Sequence, residues 1–318
     1  MGGILDLRPY QSGDETAILA LFNQSFGKPI DLEFWNWRFR DNPIAGPMIY
    51  LAWDVDILAA HYAVSPVILS VAGSEHLTAF SMTTMTAPEY RGKGLFTTLA
   101  NNLYISLAEQ GYLMVWGFPN DQSHRGFIRD LGWQEVYEIP MFRLNMNIFN
   151  PPPSVSTSIV ELDNFDKRFD TLWEEVRTDH DIIVKRDRKY LNWRFSLRPQ
   201  NNYRVFGYVE GGQLLGYLIF KQYQTEVDIL DILTMREKKI GIELVLAVLD
   251  FCWQNDIKGV NTWLPVHDPL HLAFEKLGFR NTHPVTYMGA HLLKQFHEIS
   301  DITNVRKWHF TMSDSDVF

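Results

Sequence analysis

Apolar residues recur at helical spacing in a few stretches of the chain and at strand spacing in most of the rest. LFTTLANNLYISLAEQG places Leu95, Leu99, Leu103 and Leu107 four apart and stops at Gly111, which predicts an amphipathic helix. Upstream, IYLAWD, ILAAHYAV, VILSVAG and LTAFSMTTMT read as successive strands with turn residues between them. GDETAILALFNQSF, with Asp14 as cap and Ile18, Leu21 and Phe22 on one face, predicts a helix over 13–26. LMVWGF reads as a strand, and 121–131 as a short helix.

The second half repeats this order. YRVFGYVE and QLLGYLIFKQY flank Gly211-Gly212, a hairpin signal. VDILDILTM predicts a strand, IGIELVLAVLDFCWQN an apolar helix, VNTWL a strand and PLHLAFEKLGF a short helix. The string NWRF occurs at 36–39 and at 192–195, each time followed, after three more residues, by a proline, Pro43 and Pro199. Trp37 and Gly94 are 57 residues apart, and Trp193 and Gly241 are 48 apart. Gly94 and Gly132 are 38 apart, and Gly241 and Gly278 are 37 apart. One unit is therefore used twice, with about one strand fewer ahead of the second long helix. Between the copies, NPPPSVSTS interrupts any helix or inner strand. The expected domains are 1–149 and 159–318, joined by a linker over 150–158.

At 318 residues with 46% hydrophobic and 21% charged positions, the chain has material for two packed cores. Cys252, the single cysteine, lies in an apolar run and excludes an internal disulfide. No Cys/His cluster suggests a metal. The net charge of −9 argues against nucleic acid as the main partner. The N-terminus lacks a signal-peptide layout, and apolar runs of about ten residues fall short of the roughly 20 that span a membrane. A cytoplasmic protein acting on small molecules is the expectation; oligomeric state is open.

Candidate chemistry centres on APEYRGKGLFTTLA, where the LTAFSMTTMT strand enters the first long helix. Gly92 and Gly94 let the backbone turn its N–H groups inward at a helix N-terminus, a site suited to pyrophosphate. Arg91 and Lys93 add charge at the rim. An ordinary strand-to-helix turn remains open on the loop alone. A P-loop does not fit, because Ala87 stands where its first glycine belongs and Gly94 follows Lys93. The second copy reads TMREKKIGIELVL, with only Gly241 left, so a second pyrophosphate cradle is not expected there.

The R-x-x-G of Arg91–Gly94 resembles the acyl-CoA loop of the GNAT superfamily of N-acyltransferases. HYAVSPVIL, TMTAPEYRGKGLFTTLA and WGFPNDQSHRGFIRDLGW together resemble its tandem branch, strongly over 30–140 and more weakly over 160–318. Several members of that branch resemble bacterial nucleotide-sugar N-acyltransferases. The resemblance implies an α+β fold of two tandem domains, each a mixed, mostly antiparallel sheet flanked by helices and able to run on as one continuous sheet. It also implies acyl-CoA as donor. Arg91, Gly92, Lys93, Gly94, Leu95 and Phe96 would hold its pyrophosphate, Thr84, Met85 and Thr86 would pair with pantetheine, and Asn120 and Ser123 would lie beside the arm and sulfur. Phe96 departs from the family pattern, which has a small residue there.

Amide formation from a thioester needs a neutral amine, an oxyanion donor and a proton for the thiolate. The tyrosine that GNAT enzymes often use as acid is replaced, at the matching positions, by Ile128 and Phe274. Ser123 or a water is the remaining proton source. The candidate bases are His61, His124 and the His267-Asp268 pair, each of which is equally readable as a hydrogen-bonded structural residue. Arg38 beside Trp35, and Asp231 in DILDILT, are acceptor-side candidates, Arg38 for its fit to a diphosphate. WHFTMSDSDVF reads as a final strand and a frayed acidic tail. The favoured function is transfer of an acetyl or short hydroxyacyl group, such as 3-hydroxybutanoyl, to a nucleotide-linked amino sugar of the dTDP-3-amino-3,6-dideoxyhexose type. Acetylation of another small amine, peptidyl transfer from aminoacyl-tRNA and non-catalytic CoA sensing are the alternatives.

Overall fold

A computed structural model describes residues 5–150, 155–200, 202–296 and 301–317, and its elements form an α+β fold. In chain order they are β1 (Asp6–Pro9), α1 (Glu15–Phe26), α2 (Leu32–Trp35), β2 (Met48–Asp54), β3 (Ile57–Val71), β4 (Ser74–Thr86), α3 (Leu95–Glu109), β5 (Met114–Gly117), α4 (Asp121–Leu131) and β6 (Gln134–Asn145). They continue with β7 (Ile159–Glu161), α5 (Lys167–Val176), β8 (Ile182–Val184), α6 (Arg188–Leu191), β9 (Tyr203–Glu210), β10 (Gln213–Tyr223) and β11 (Glu226–Thr234). The last are α7 (Lys238–Gln254), β12 (Gly259–Thr262), α8 (His271–Leu277), β13 (Arg280–Leu292) and β14 (Trp308–His309).

Contacts divide the chain into two units. The first is Met1–Leu69, Glu75–Tyr137 and Tyr287–Thr303; the second is Ser70–Ser74, Glu138–Thr286 and Asn304–Phe318. In the first, the strands run β1-β2-β3-β4-β5, and the C-terminal part of β13 closes the order with Gly289 opposite Gly117 and Leu292 opposite Met114. In the second, the order is β6-β12-β11-β10-β9-β7, with the end of β6 opposite β12 from Phe142 to Asn145. Each unit pairs one strand in parallel with the next after its long helix, β4 with β5 and β11 with β12. The domain boundary expected at 150–158 is corrected. β6 runs unbroken past residue 137, so 138–149 belong to the second unit, and β13 returns 287–292 to the first. Residues 151–154 of the expected linker lie outside the described residues. Neither β6 nor β13 shows in the apolar pattern, because Pro140 and Pro284 interrupt their runs.

The leucines of α3 do what their spacing predicts. Leu95, Leu99, Leu103 and Leu107 are buried with Tyr62, Val64, Ala79 and Val115. In the second unit, Leu244, Val248 and Cys252 of α7 are buried with Leu218, Phe220 and Val260. A fully buried side chain of this size contributes about 1.5–3 kcal/mol. Burial pushes the Cys252 thiol up to about 12, so it is an inert core residue.

The repeated NWRF folds the same way twice. Asp31 and Asp187 cap four-residue helices by accepting from Phe34 and Tyr190 N–H, at 2.7 and 2.8 Å. Each helix then widens into one π-turn, over Asn36–Arg40 and Asn192–Ser196. The turns close with Asp41 N–H donating to Asn36 O (2.8 Å) and Leu197 N–H to Asn192 O (2.9 Å). Trp37, Arg38 and Phe39 are buried, as are Trp193, Arg194 and Phe195. One expected turn is absent: ILAAHYAV and VILSVAG form the single strand β3. Pro66 lies beyond Val64, the last β2 partner, so its missing N–H breaks no bond to that strand.

Candidate donor site in the first unit

The loop between β4 and α3 is built around two left-handed glycines. Gly92 has φ +75 and Gly94 φ +73, and Gly94 is the N-cap of α3. A Cβ at either would meet nothing within 4 Å, so their backbone conformation, rather than crowding, calls for glycine. The space left open is where an anion would approach the helix N-terminus. Tyr90 anchors the loop by donating to Asp54 Oδ2 (2.7 Å), and the Lys93 ammonium sits 4.5 Å from the Tyr90 ring centre. Arg91 Nε donates to Thr86 O at 3.3 Å. Sequence reasoning passed over Tyr90 and Asp54, which fix the loop although neither is part of the glycine signature. Gly92→Ala should cost about 1–2 kcal/mol in a denaturation curve. On the reading of the loop as a pyrophosphate site, it should weaken acetyl-CoA binding by more than that, because the added methyl enters the space left open there.

Phe96 explains a second glycine. Its ring packs against Tyr62 and Phe127 at centroid distances of 6.0 and 5.1 Å, and it lies 3.2 Å from where a Cβ on Gly126 would be. The bulk absent from α4 at Gly126 is thus filled from α3, which is how the loop accommodates Phe96. Beneath it, the Tyr62 hydroxyl meets Ser81 Oγ and Tyr104 OH, both at 2.8 Å, and Trp133 Nε1–H donates to Tyr104 OH at 2.9 Å. This buried chain of four polar groups is closed on itself, and no sequence signal pointed to it.

β4 and β5 pair only at Ala79–Val115 and Phe80–Trp116 and then part. Thr84, Met85 and Thr86 therefore lie where β4 has no β5 partner, which leaves that strand edge available for the amides of an extended arm. Across the split, Asn120 caps α4 by accepting from Gln122 and Ser123 N–H at 3.1 and 3.0 Å. The Ser123 hydroxyl closes the same capping box by accepting from Asn120 N–H at 3.2 Å, and donates to Asn120 Oδ1 at 3.0 Å. Ser123 is thus engaged in a cap, and acting as a proton donor would require it to leave that bond.

The other candidates are dispersed. His61 is fully buried, and desolvation pulls its pKa down to about 4. His124 stacks on Tyr287 with centroids 3.9 Å apart. Trp35 is fully buried, and Arg38, also buried, donates from Nε toward Met82 Sδ at 3.1 Å. Neither offers the open acceptor surface expected of it: Trp35 ends α2, Arg38 lies in the π-turn that follows, and both side chains are buried.

In the second unit the cradle is gone for a geometric reason. α7 starts at Lys238, so Gly241, the counterpart of Gly94, lies inside the helix against Leu270. A cleft of about 320 Å³ remains beside it, lined by His180, Ile232, Met235, Lys238, Asp268 and Leu270. Asp268 faces this cleft, and burial raises its pKa. His267 instead has Nε2 3.3 Å from Trp308 O. Asp231 is corrected from an acceptor contact to a structural residue. It is buried, receives Tyr217 OH (2.9 Å) and Thr311 Oγ1 (2.9 Å), and pairs with Arg186. The C-terminal segment is likewise not frayed. Thr311, Ser313, Asp314 and Ser315 are buried, with Asp314 Oδ2 2.8 Å from Arg186 and the Ser313 and Ser315 carbonyls accepting from Arg194 at 3.1 Å.

Comparison with known proteins bears on the fold. Residues 6–136 match the family model of the acetyltransferase (GNAT) domain. No curated protein matches the sequence. Among solved structures, a probable N-acyltransferase from Enterococcus faecalis is similar at TM-score 0.72 and 15% identity, over 92% of this chain and 73% of that one. A GCN5-related N-acetyltransferase from Anabaena variabilis is similar at 0.71 and 15%, over 92% and 73%. N-myristoyltransferase from Saccharomyces cerevisiae, solved with myristoyl-CoA bound, is similar at 0.65 and 10%, over 91% and 83%. Among the described residues, no helix is long and apolar enough to cross a membrane and no cluster of side chains is suited to a metal. Residues 6–136 thus match a GNAT acetyltransferase domain, and the protein is an acyltransferase with a GNAT-like fold.

Proposed function

We propose that the protein transfers an acyl group from acyl-CoA to a primary amine, with the donor held in the first unit. The observation that carries this is the pair of left-handed glycines at the N-terminus of α3 beside the parted β4 and β5. Pyrophosphate would take the loop and the pantetheine amides the free edge of β4, which brings the thioester toward the split. The amine nitrogen attacks the thioester carbonyl, and the C–S bond breaks as the CoA thiolate leaves. A proton goes from the nitrogen to a base and another reaches the sulfur from water or Ser123. No tyrosine stands at Ile128 to supply it.

For the acceptor we infer a nucleotide-linked amino sugar, with acetyl or a short hydroxyacyl as the group moved, in surface polysaccharide synthesis and in the cytoplasm. Its support is the sequence resemblance over 30–140; the buried Arg38 does not add the diphosphate contact anticipated for it. The test is thiol release from a panel of acyl-CoAs with dTDP- and UDP-linked amino sugars and with simple amines, followed by mass analysis of the acceptor. Sugar-dependent release with the expected mass gain establishes donor and acceptor together. Release with simple amines alone rejects the sugar, and CoA binding without release to any amine favours a sensing role. Ser123→Ala should slow turnover and leave donor binding intact; unchanged turnover removes Ser123 from the proton path.

A further inference from the structure

One backbone kink inside a strand separates the two copies. Among the described residues, Thr83 is the non-glycine residue with positive φ (+51) that lies within a strand; Val55, Ala72, Gln200, Gln224 and Asp256 are in turns or loops. A β-branched residue in the left-handed region costs about 1–2 kcal/mol and persists only where its surroundings hold it. Thr83 is three residues past the last β4–β5 pair and immediately before Thr84, Met85 and Thr86. Such a kink re-aims the amides that follow it, as a bulge does.

What holds it is His61, whose Nδ1 is 2.8 Å from Thr83 O. A carbonyl only accepts, so Nδ1 carries the proton and Nε2 the lone pair. Nε2 is buried and has no hydrogen-bond partner among the described residues. His61 is therefore placed to donate to the strand rather than to take a proton from a solute.

The second unit shows the same pair without the kink. The β2–β3 and β9–β10 hairpins each carry one extra residue, Ala59 and Leu215. The carbonyl of each accepts from the end of the next strand, Ala87 N–H and Met235 N–H, both at 2.9 Å. Two residues beyond the bulge stand His61 and Tyr217, and four before the paired N–H stand Thr83 and Asp231. His61–Thr83 and Tyr217–Asp231 are thus equivalent pairs. In the second unit the bond runs from Tyr217 OH to the Asp231 side chain, and Asp231 has no positive φ. The second unit has a bulge at Leu230 beside Asp231 but keeps ordinary φ there; the unit with the glycine loop takes a left-handed φ at this position, with an imidazole on its carbonyl.

We propose that His61 is a positioning residue whose Nδ1–H, on the Thr83 carbonyl, holds the kink that sets the β4 amides for the acyl donor. This rests on the donor reading above. The experiment compares wild type, His61→Ala, His61→Ala/Thr83→Gly and His61→Asn by acetyl-CoA calorimetry, melting temperature and crystal structure. In His61→Ala, Thr83 should return to extended φ and acetyl-CoA affinity fall about tenfold or more. Adding Thr83→Gly should restore affinity to within about threefold, because glycine takes this φ without a brace. The melting temperature should stay low in that double variant, which separates positioning from general stability. His61→Asn, whose amide N–H stands where Nδ1–H does, should bind like wild type, and it carries the test if His61→Ala does not fold. A positive φ at Thr83 in His61→Ala, normal binding without His61, or no recovery with glycine overturns the proposal. Wild-type protein that binds no acyl-CoA would reject the donor reading, while the φ of Thr83 in His61→Ala would still decide the brace.

Discussion

Arg186→Met is expected to cost the second unit about 3–5 kcal/mol in chemical denaturation, among the largest effects available to one substitution here. Arg186 is fully buried between two carboxylates, 3.3 Å from Asp231 and 2.8 Å from Asp314, and also donates to Val184 O at 3.0 Å. Burial opposes its charge, but the two aspartates outweigh that and hold its pKa well above the usual range. Methionine fills similar volume but leaves two carboxylates facing each other away from water. The segment 311–315, held through Asp314 and Thr311, should then become accessible to protease. Arg186→Met combined with Asp231→Asn and Asp314→Asn should recover most of the loss, since that change removes the whole charged set. A triple variant as unstable as the single one would show that packing, not charge, sets the cost.

Acid should unfold the protein well before its surface carboxylates are neutralised. Desolvation lowers His61 from an ordinary value near 6.5 to about 4, does the same for His180, and holds His309 well below its usual range. Between pH 6.5 and 4 the unfolded chain binds these protons and the folded chain does not. Stability is therefore complete above about 6.5 and falls as pH drops through that window. His61 alone accounts for about 2 kcal/mol lost at pH 5 and about 3 kcal/mol by pH 4. His180 adds less because its edge reaches solvent. Asp228 and Asp268, raised by burial, act in the opposite direction over part of the window. Urea midpoints at pH 7.5 and pH 5 measure the slope, and His61→Gln should flatten it; an unchanged slope would mean that His61 is reached by water.

Local chemistry was legible at short range. The α3 leucine spacing, the Gly211-Gly212 hairpin and the repeated NWRF string are set by residues close together in the chain, so the order of side chains carries them. The glycine loop was legible for the same reason, because Gly92 and Gly94 act through their own φ angles. The loss of the cradle in the second copy could also be read from its sequence, although its cause is the start of α7 at Lys238 rather than the missing glycines alone.

Roles that depend on partners distant in the chain were not legible. Asp231 and Arg186 are 45 residues apart, Arg186 and Asp314 are 128 apart, and nothing local distinguishes a carboxylate in such a site from one facing a ligand. Arg38 and Trp35 read as acceptor contacts in the sequence, whereas the fold buries both. β6 and β13 were hidden by their prolines and change unit partway along, which places the true boundary inside a strand. The sequence by itself determined that one unit is used twice, that its long helices present an apolar face, and that one copy keeps two glycines ahead of its long helix. The tertiary structure decided which charged and imidazole groups are buried, where the chain changes unit, and that His61 braces a strand, because burial and pairing arise from residues that only the folded chain brings together.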